Sequence, residues 1–192
     1  MRLKHTLLFI LIILSSCFCH AQLRNFGVKG GLNVSGVTTS ADGNPESKLG
    51  YHVALFGQLK LNDVCSIQPE IVFSNLGYKL NNIRYNLNYF ALPMLFKYQY
   101  QNFFLDCGPQ AAILFNANRI DLDKKEKKEV TAQFNNLDFS LVSGLGFMVS
   151  KKIGLEGRFI LGLTEISNID SIDIYNKTFQ ITVFYVFNTQ PK

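Results

Sequence analysis

Tryptophan is absent from the 192 residues, and charged residues make up only 17% of them. A soluble domain usually carries nearer a quarter. After residue 22 the chain keeps one histidine, His52, and two cysteines, Cys65 and Cys107. One histidine and two separated thiols do not supply a zinc ligand set. Two cysteines do not make a disulfide framework. The strand assignment below puts them on the third and fifth strands, which are not neighbours, so no bridge is expected. Beyond residue 22 no apolar run has the length of a membrane-crossing helix. No long stretch there has a helical period. The formal charge is +5, and it falls to +3 once Arg2 and Lys4 are set aside. The one dense basic run, Lys124, Lys125, Lys127 and Lys128, is diluted by Asp121, Asp123, Glu126 and Glu129. That mixture reads as a solvated loop and not as a nucleic-acid surface.

What is present is aromatic and apolar. The chain has 17 Phe and 8 Tyr, and 47% of its residues are hydrophobic. Disorder is excluded at that hydrophobicity. The length suits one domain. Residues 1–22, MRLKHTLLFILIILSSCFCHAQ, have the form of an export signal. Arg2 and Lys4 give a positive start and residues 7–14 a short apolar core. Cys19 and Ala21 are small residues placed for cleavage after Ala21, so residues 1–21 are expected to be removed and 22–192 to form the mature domain. A competing reading takes residues 14–17 as a lipobox with a lipid on Cys17. Either reading exports the chain.

Along the mature chain the recurring pattern is alternation, the period of a strand with two unlike faces. Phe26, Val28, Leu32 and Val34 alternate with Lys29, Gly31, Asn33 and Ser35. Similar stretches begin at Tyr51, Ser66, Phe103, Leu137, Leu155 and Phe179. Residues 85–100 are apolar on both parities. Phe90, Leu92, Met94, Phe96 and Tyr98 are taken as one face and Lys97 as the other. This gives eight strands. The connections alternate in length: 37–48 long, 62–63 tight, 80–84 intermediate, 101–102 tight, 117–135 long, 151–152 tight, 165–176 long. An up-and-down barrel in an outer membrane has such short turns at one end and longer loops at the other.

Three features point the apolar faces outward, toward lipid. The more polar face is rich in small residues, among them Gly31, Ala54, Ser74, Gly108, Ala112, Ser140, Gly144, Gly146 and Gly162, which suit the narrow interior of eight strands. The other face holds few charges. Strands of about ten residues suit a tilted crossing, and closure removes the unpaired edge that lipid penalises. The fold class is therefore all-β: an eight-stranded antiparallel up-and-down transmembrane β-barrel. Phe179, Ile181, Val183, Tyr185 and Phe187 form the apolar face of its last strand. Outer-membrane barrels end on such an aromatic strand, which resembles the signal read by the barrel-insertion machinery.

At this point the chain resembles the outer-membrane β-barrel domain family common in Bacteroidetes, described as porin family or PorT-like. The residues that carry the likeness are FGVKGGLNVS (26–35), SIQPEIVFSNLGYKL (66–80), NYFALPMLFKYQY (88–100), FFLDCGPQAAILF (103–115), VSGLGF (142–147) and LEGRFILGLTEI (155–166). The resemblance implies an eight-stranded barrel in the outer membrane. It supplies no reaction, no cofactor and no catalytic residue.

The polar residues expected inside the barrel are Lys29, His52, Glu70, Lys97, Asp106, Asp138, Glu156 and Arg158. Ionisable groups in so narrow a space must pair, and Glu70 with Arg158 is a candidate pair that the sequence does not establish. The functional alternative for these residues is a gated polar path. His52 is expected near the external rim, because the second strand descends from the first long loop. Three readings of function stay open. The first is a non-enzymatic outer-membrane barrel with a filled lumen, whose loops 37–48, 117–135 and 165–176 meet a protein partner. The second is a lipid-modifying barrel enzyme using His52 as base. The third is a soluble or lipidated periplasmic barrel that holds an apolar ligand. The partners expected of the first are outer-membrane lipid and, during biogenesis, the insertion machinery.

Overall fold

The computed structural model describes residues 23–39, 45–168 and 173–187. The export signal, the lipobox, the centres of the loops 37–48 and 165–176, and the tail after Phe187 lie outside the described residues. Among the described residues there are nine strands: β1 (Leu23–Thr39), β2 (Glu46–Lys60), β3 (Cys65–Leu80), β4 (Ile83–Tyr100), β5 (Phe103–Asp121), β6 (Glu126–Glu129), β7 (Leu137–Met148), β8 (Ile153–Gly162) and β9 (Ile174–Val186). Eight of them close a barrel. Each pairs antiparallel with the next, β5 passes to β7, and β9 returns to β1 over thirteen residue pairs from Gly27↔Val186 to Thr39↔Ile174. The short β6 pairs only with the far end of β5.

The alternation read from the sequence is the alternation of the walls. On β4, Phe90, Leu92, Met94, Phe96 and Tyr98 face out while Ala91, Leu95 and Lys97 are buried inside. On β1 the outward residues are Phe26, Val28, Leu32 and Val34, and on β9 they run from Phe179 to Phe187. These outward side chains are 36 to 59% exposed, a continuous apolar belt that water would disfavour and lipid would not. At the terminus end, where β1 begins and β9 stops, Phe26, Tyr185 and Phe187 form an aromatic cluster with centroids 5.2 and 5.4 Å apart. Cys65 and Cys107 are free thiols, on β3 and β5.

Two connections differ from expectation. The intermediate loop at 80–84 is a two-residue turn, with Asn81 at φ 53°. Asparagine tolerates that left-handed backbone better than other side chains do. The long loop at 117–135 is largely ordered: β5 continues to Asp121 and folds back as β6. The charged sequence hid this hairpin, because both of its faces are polar and alternation carries no signal there. Its turn is fixed by the Asp121 carboxylate, which accepts the backbone N–H groups of Lys124 and Asp123, each at 3.1 Å. The Lys124 bond, more than the Asp123 one, holds that carboxyl below the usual aspartate range. The wall is consequently uneven. β3, β4 and β5 have 16, 18 and 19 residues, and β7 and β8 only 12 and 10. Gly77, at φ 140°, lies in the tall part, where a Cβ would stand 2.0 Å from the Tyr85 carbonyl oxygen. Only glycine meets both demands.

Candidate functional site in the barrel interior and its outer mouth

The inward residues form layers. At the terminus end, Phe56, Phe104 and Phe184 meet edge to face, with Phe184 6.0 Å from Phe56 and 5.7 Å from Phe104. Three glycines make the space. A Cβ on Gly146 would stand 2.0 Å from the Phe104 ring, on Gly154 2.3 Å from Phe184, and on Gly27 2.5 Å from Phe56.

Above the rings lies an ionic layer. Glu70 takes both terminal nitrogens of Arg158 at 2.7 Å, the forked geometry that makes such pairs strong. Arg158 Nε donates to Glu156 at 2.8 Å and Nη2 to Asp106 at 3.3 Å. Lys29 reaches Glu70 at 2.8 Å and Glu156 at 2.7 Å. Lys97 donates to Gln68 at 3.2 Å and stands 3.5 Å above the Phe104 ring. Gln68 donates in turn to Glu70 at 2.6 Å. Three cations thus face three carboxylates, all buried. The Oδ1 of Asp106 has no hydrogen-bond partner among the described residues, and it occupies the space that a Cβ on Gly144 would fill.

The next layer is neutral. His52 lies between Asn33 Oδ1 at 2.7 Å and Thr182 Oγ1 at 2.9 Å. Gln180 and Ser74 complete the network around Asn33. The expectation of His52 at the external rim is corrected. β2 begins at Glu46, so His52 is its seventh residue and lies within the barrel, 3% exposed, directly opposite Gly31 and Ser74. Both ring nitrogens are engaged by interior side chains, away from the rim. Asp138 sits higher, apart from the ionic layer. It accepts from Asn176 at 2.7 Å and from Thr164 at 3.1 Å. All eight polar residues named from the sequence therefore face inward. Six of them form one ionic cluster, whereas His52 and Asp138 belong to neutral networks. The neutral partners Gln68, Asn33, Asn176 and Thr182 are not among the interior candidates read from the sequence, although parity puts them on the same face.

A cavity of about 20 Å³ remains between these layers, bordered by Ala54, Tyr89, Gln110, Asp138, Ser140 and Asn176. That is room for about one water molecule and not for an organic ligand. Above it, Val130, Phe134 and Ile166 pack down onto Leu76, Leu87, Tyr89, Leu114 and Ala117. The two segments that bring them are tied together: the Asn135 N–H donates to the Ile166 carbonyl at 3.0 Å, and the Asn168 N–H to the Gln133 carbonyl at 3.0 Å. Among the described residues no group of three His, Cys, Asp or Glu side chains could hold a metal ion.

Solved structures share this architecture. The crystal structure of Neisserial surface protein A matches with a TM-score of 0.57 at 10% identity, over 83% of this chain and 96% of that one. Ail, the attachment invasion locus protein of Yersinia pestis, matches at 0.51 and 14% identity, over 85% and 99%. The outer membrane protein OprG of Pseudomonas aeruginosa matches at 0.50 and 9% identity, over 88% and 98%. At such identities the likeness is one of fold. Comparison with curated proteins finds no match. The sequence profile of the outer membrane protein β-barrel domain matches residues 20–168, most of the chain. With the closed eight-stranded wall and its outward apolar belt, that match makes the chain a member of the outer membrane protein β-barrel domain family.

Proposed function

We propose that this protein is a non-enzymatic outer-membrane barrel of the Bacteroidetes porin-family or PorT-like kind, with a filled lumen and an outer end that meets a partner. The observation that carries the reading is the stack of side chains in the interior. Aromatic rings, a buried ionic layer of three cations and three carboxylates, a histidine–amide network and a loop-borne apolar cap follow one another, and the cavity between them is about 20 Å³. Eight strands enclose a space that side chains can fill, and wide aqueous channels belong to much larger barrels. The paired charges hold the wall together and do not line a path. Function then falls to the outer end, where the far ends of β3–β5 and the short β6 extend past β7 and β8 and residues 133–135 bond to 166–168; the segments 37–48, 117–135 and 165–176 supply the partner surface. Residues 1–21 serve as the cleaved export signal, and the aromatic last strand serves the insertion machinery. Purified protein reconstituted in a planar bilayer tests the lumen. The expected record has no stable conductance step. A large, stable single-channel step would overturn the filled lumen.

A further inference from the structure

The outward face of the tall wall is stratified in a way the rest of the barrel is not. Strand partners directly opposite one another share a face, so the register can be read as rungs. The lowest is aromatic: Phe73, Phe90 and Phe115 lie within 4.9 to 5.8 Å of one another, and Tyr51 is 5.9 Å from Phe73. The next rung is Asn75↔Asn88↔Asn116, and the one above it Gly77↔Asn86↔Asn118. The amides touch: Asn75 donates to Asn88 at 2.6 Å, Asn88 to Asn116 at 3.4 Å, and Asn118 to Asn116. Lys48, itself buried, donates to Asn75 Oδ1 at 2.5 Å. The fourth rung is Lys79↔Arg84↔Ile120↔Lys127. Two acids share this face. Glu46 pairs with Lys79 at 3.0 Å, and Glu129 accepts the Thr131 hydroxyl at 3.0 Å. Among the described residues, Arg84 and Lys127 have no carboxylate partner there. On the opposite side of the barrel, Leu137, Phe139, Leu161 and Leu163 end the belt with no amide row above them.

A ligand fitting this face needs an apolar part at the belt, hydroxyls or carbonyls for the amides, and negative charge about 20 Å further along the strand, six residues at about 3.3 Å each. A soluble polyanion leaves the aromatic rung unused. A simple phospholipid lacks hydroxyls that reach two amide rungs. We propose that the outward face of β2–β6 binds a phosphorylated glycolipid of the surrounding leaflet. Its acyl chains lie on Tyr51, Phe73, Phe90 and Phe115, its sugar on the asparagine amides, and its phosphate on Arg84 and Lys127. The proposal rests on the reading of the apolar belt as lipid-facing.

The test is native mass spectrometry of the full protein released from detergent micelles, with purified diphosphorylated lipid A as probe. Wild type and a Lys177→Ala control on the other wall are expected to keep one adduct. Arg84→Gln with Lys127→Gln, and separately Asn88→Ala with Asn116→Ala, are expected to bind at least about tenfold more weakly, the effect of one lost charge-assisted contact. Dephosphorylated probe should weaken wild type to a similar degree. Equal adducts on all variants overturn the site, as does full displacement by soluble heparin or inorganic phosphate, or a dimer mass in place of the lipid adduct. Each protein is checked for a heat-dependent shift on an SDS gel. Wild type without that shift would overturn the lipid-facing reading itself, whereas equal adducts on shifted proteins overturn only the glycolipid site.

Discussion

The two ends of the lumen are closed by different means. At the terminus end the closing side chains belong to the wall. Phe56, Phe104 and Phe184 are inward residues of β2, β5 and β9, and Phe104 and Phe184 each press against a strand glycine, Gly146 and Gly154. At the outer end the closing side chains Val130, Phe134 and Ile166 belong to the connections between strands. Wall residues are held by ladder hydrogen bonds on both sides, so they move only if the barrel opens. The cap is held by a few loop hydrogen bonds and its own apolar contacts. Local opening draws on elements of that kind. The molecule should therefore lose its cap without losing its barrel, and the reverse should not happen.

The largest expected effect lies between the two ends. Arg158→Met removes the cation that three buried carboxylates share, leaving Lys29 as the remaining partner of Glu70 and Glu156. Breaking a buried pair from one side costs about 3–5 kcal/mol, so the urea midpoint of the refolded protein should drop sharply. An unchanged midpoint would mean that the ionic layer is not paired as described. Gly146→Val comes next. Its side chain would enter the Phe104 ring, and overpacking of this kind costs about 1–3 kcal/mol, read in the same unfolding curve. Phe134→Ala sharpens the contrast. The unfolding midpoint should move by less than about 1 kcal/mol while protease cleavage within 117–135 rises several-fold, the mark of local opening. A global loss as large as that of Gly146→Val would show that the cap belongs to the barrel's cooperative unit. The smallest effect is expected from Lys79→Ala. It breaks only the exposed pair with Glu46 and should cost no more than about 1 kcal/mol, less at high salt.

The difference between the ends also explains what was legible beforehand. Strand alternation carries one bit per residue, in or out, and with one face apolar that bit is well defined. It was enough to put Lys29, Glu70, Lys97, Asp106, Glu156 and Arg158 inside; that Glu70 pairs with Arg158 was one candidate among the inward charges, and only the structure gives the pair. It did not say how high a residue sits, which is why His52 was expected at the rim. Height depends on where a strand begins, and β2 starts beyond the apolar belt, among polar residues with no contrast between faces. The same lack of contrast concealed the β5–β6 hairpin. The cap was illegible for another reason. Val130, Phe134 and Ile166 are single apolar residues in polar connections, and nothing local marks them as turned inward. Their burial comes from pairing between segments some thirty residues apart, such as Asn135 with Ile166.

The claim on which the rest depends is that the apolar faces meet lipid and the polar faces meet each other. It is tested most directly by SDS-gel migration of the outer-membrane fraction, boiled against unboiled. A closed wall has no free edge for unfolding to begin from, so the protein should be found in that fraction and should migrate differently until heated. Recovery in the soluble fraction, or identical migration before and after boiling, would contradict the account.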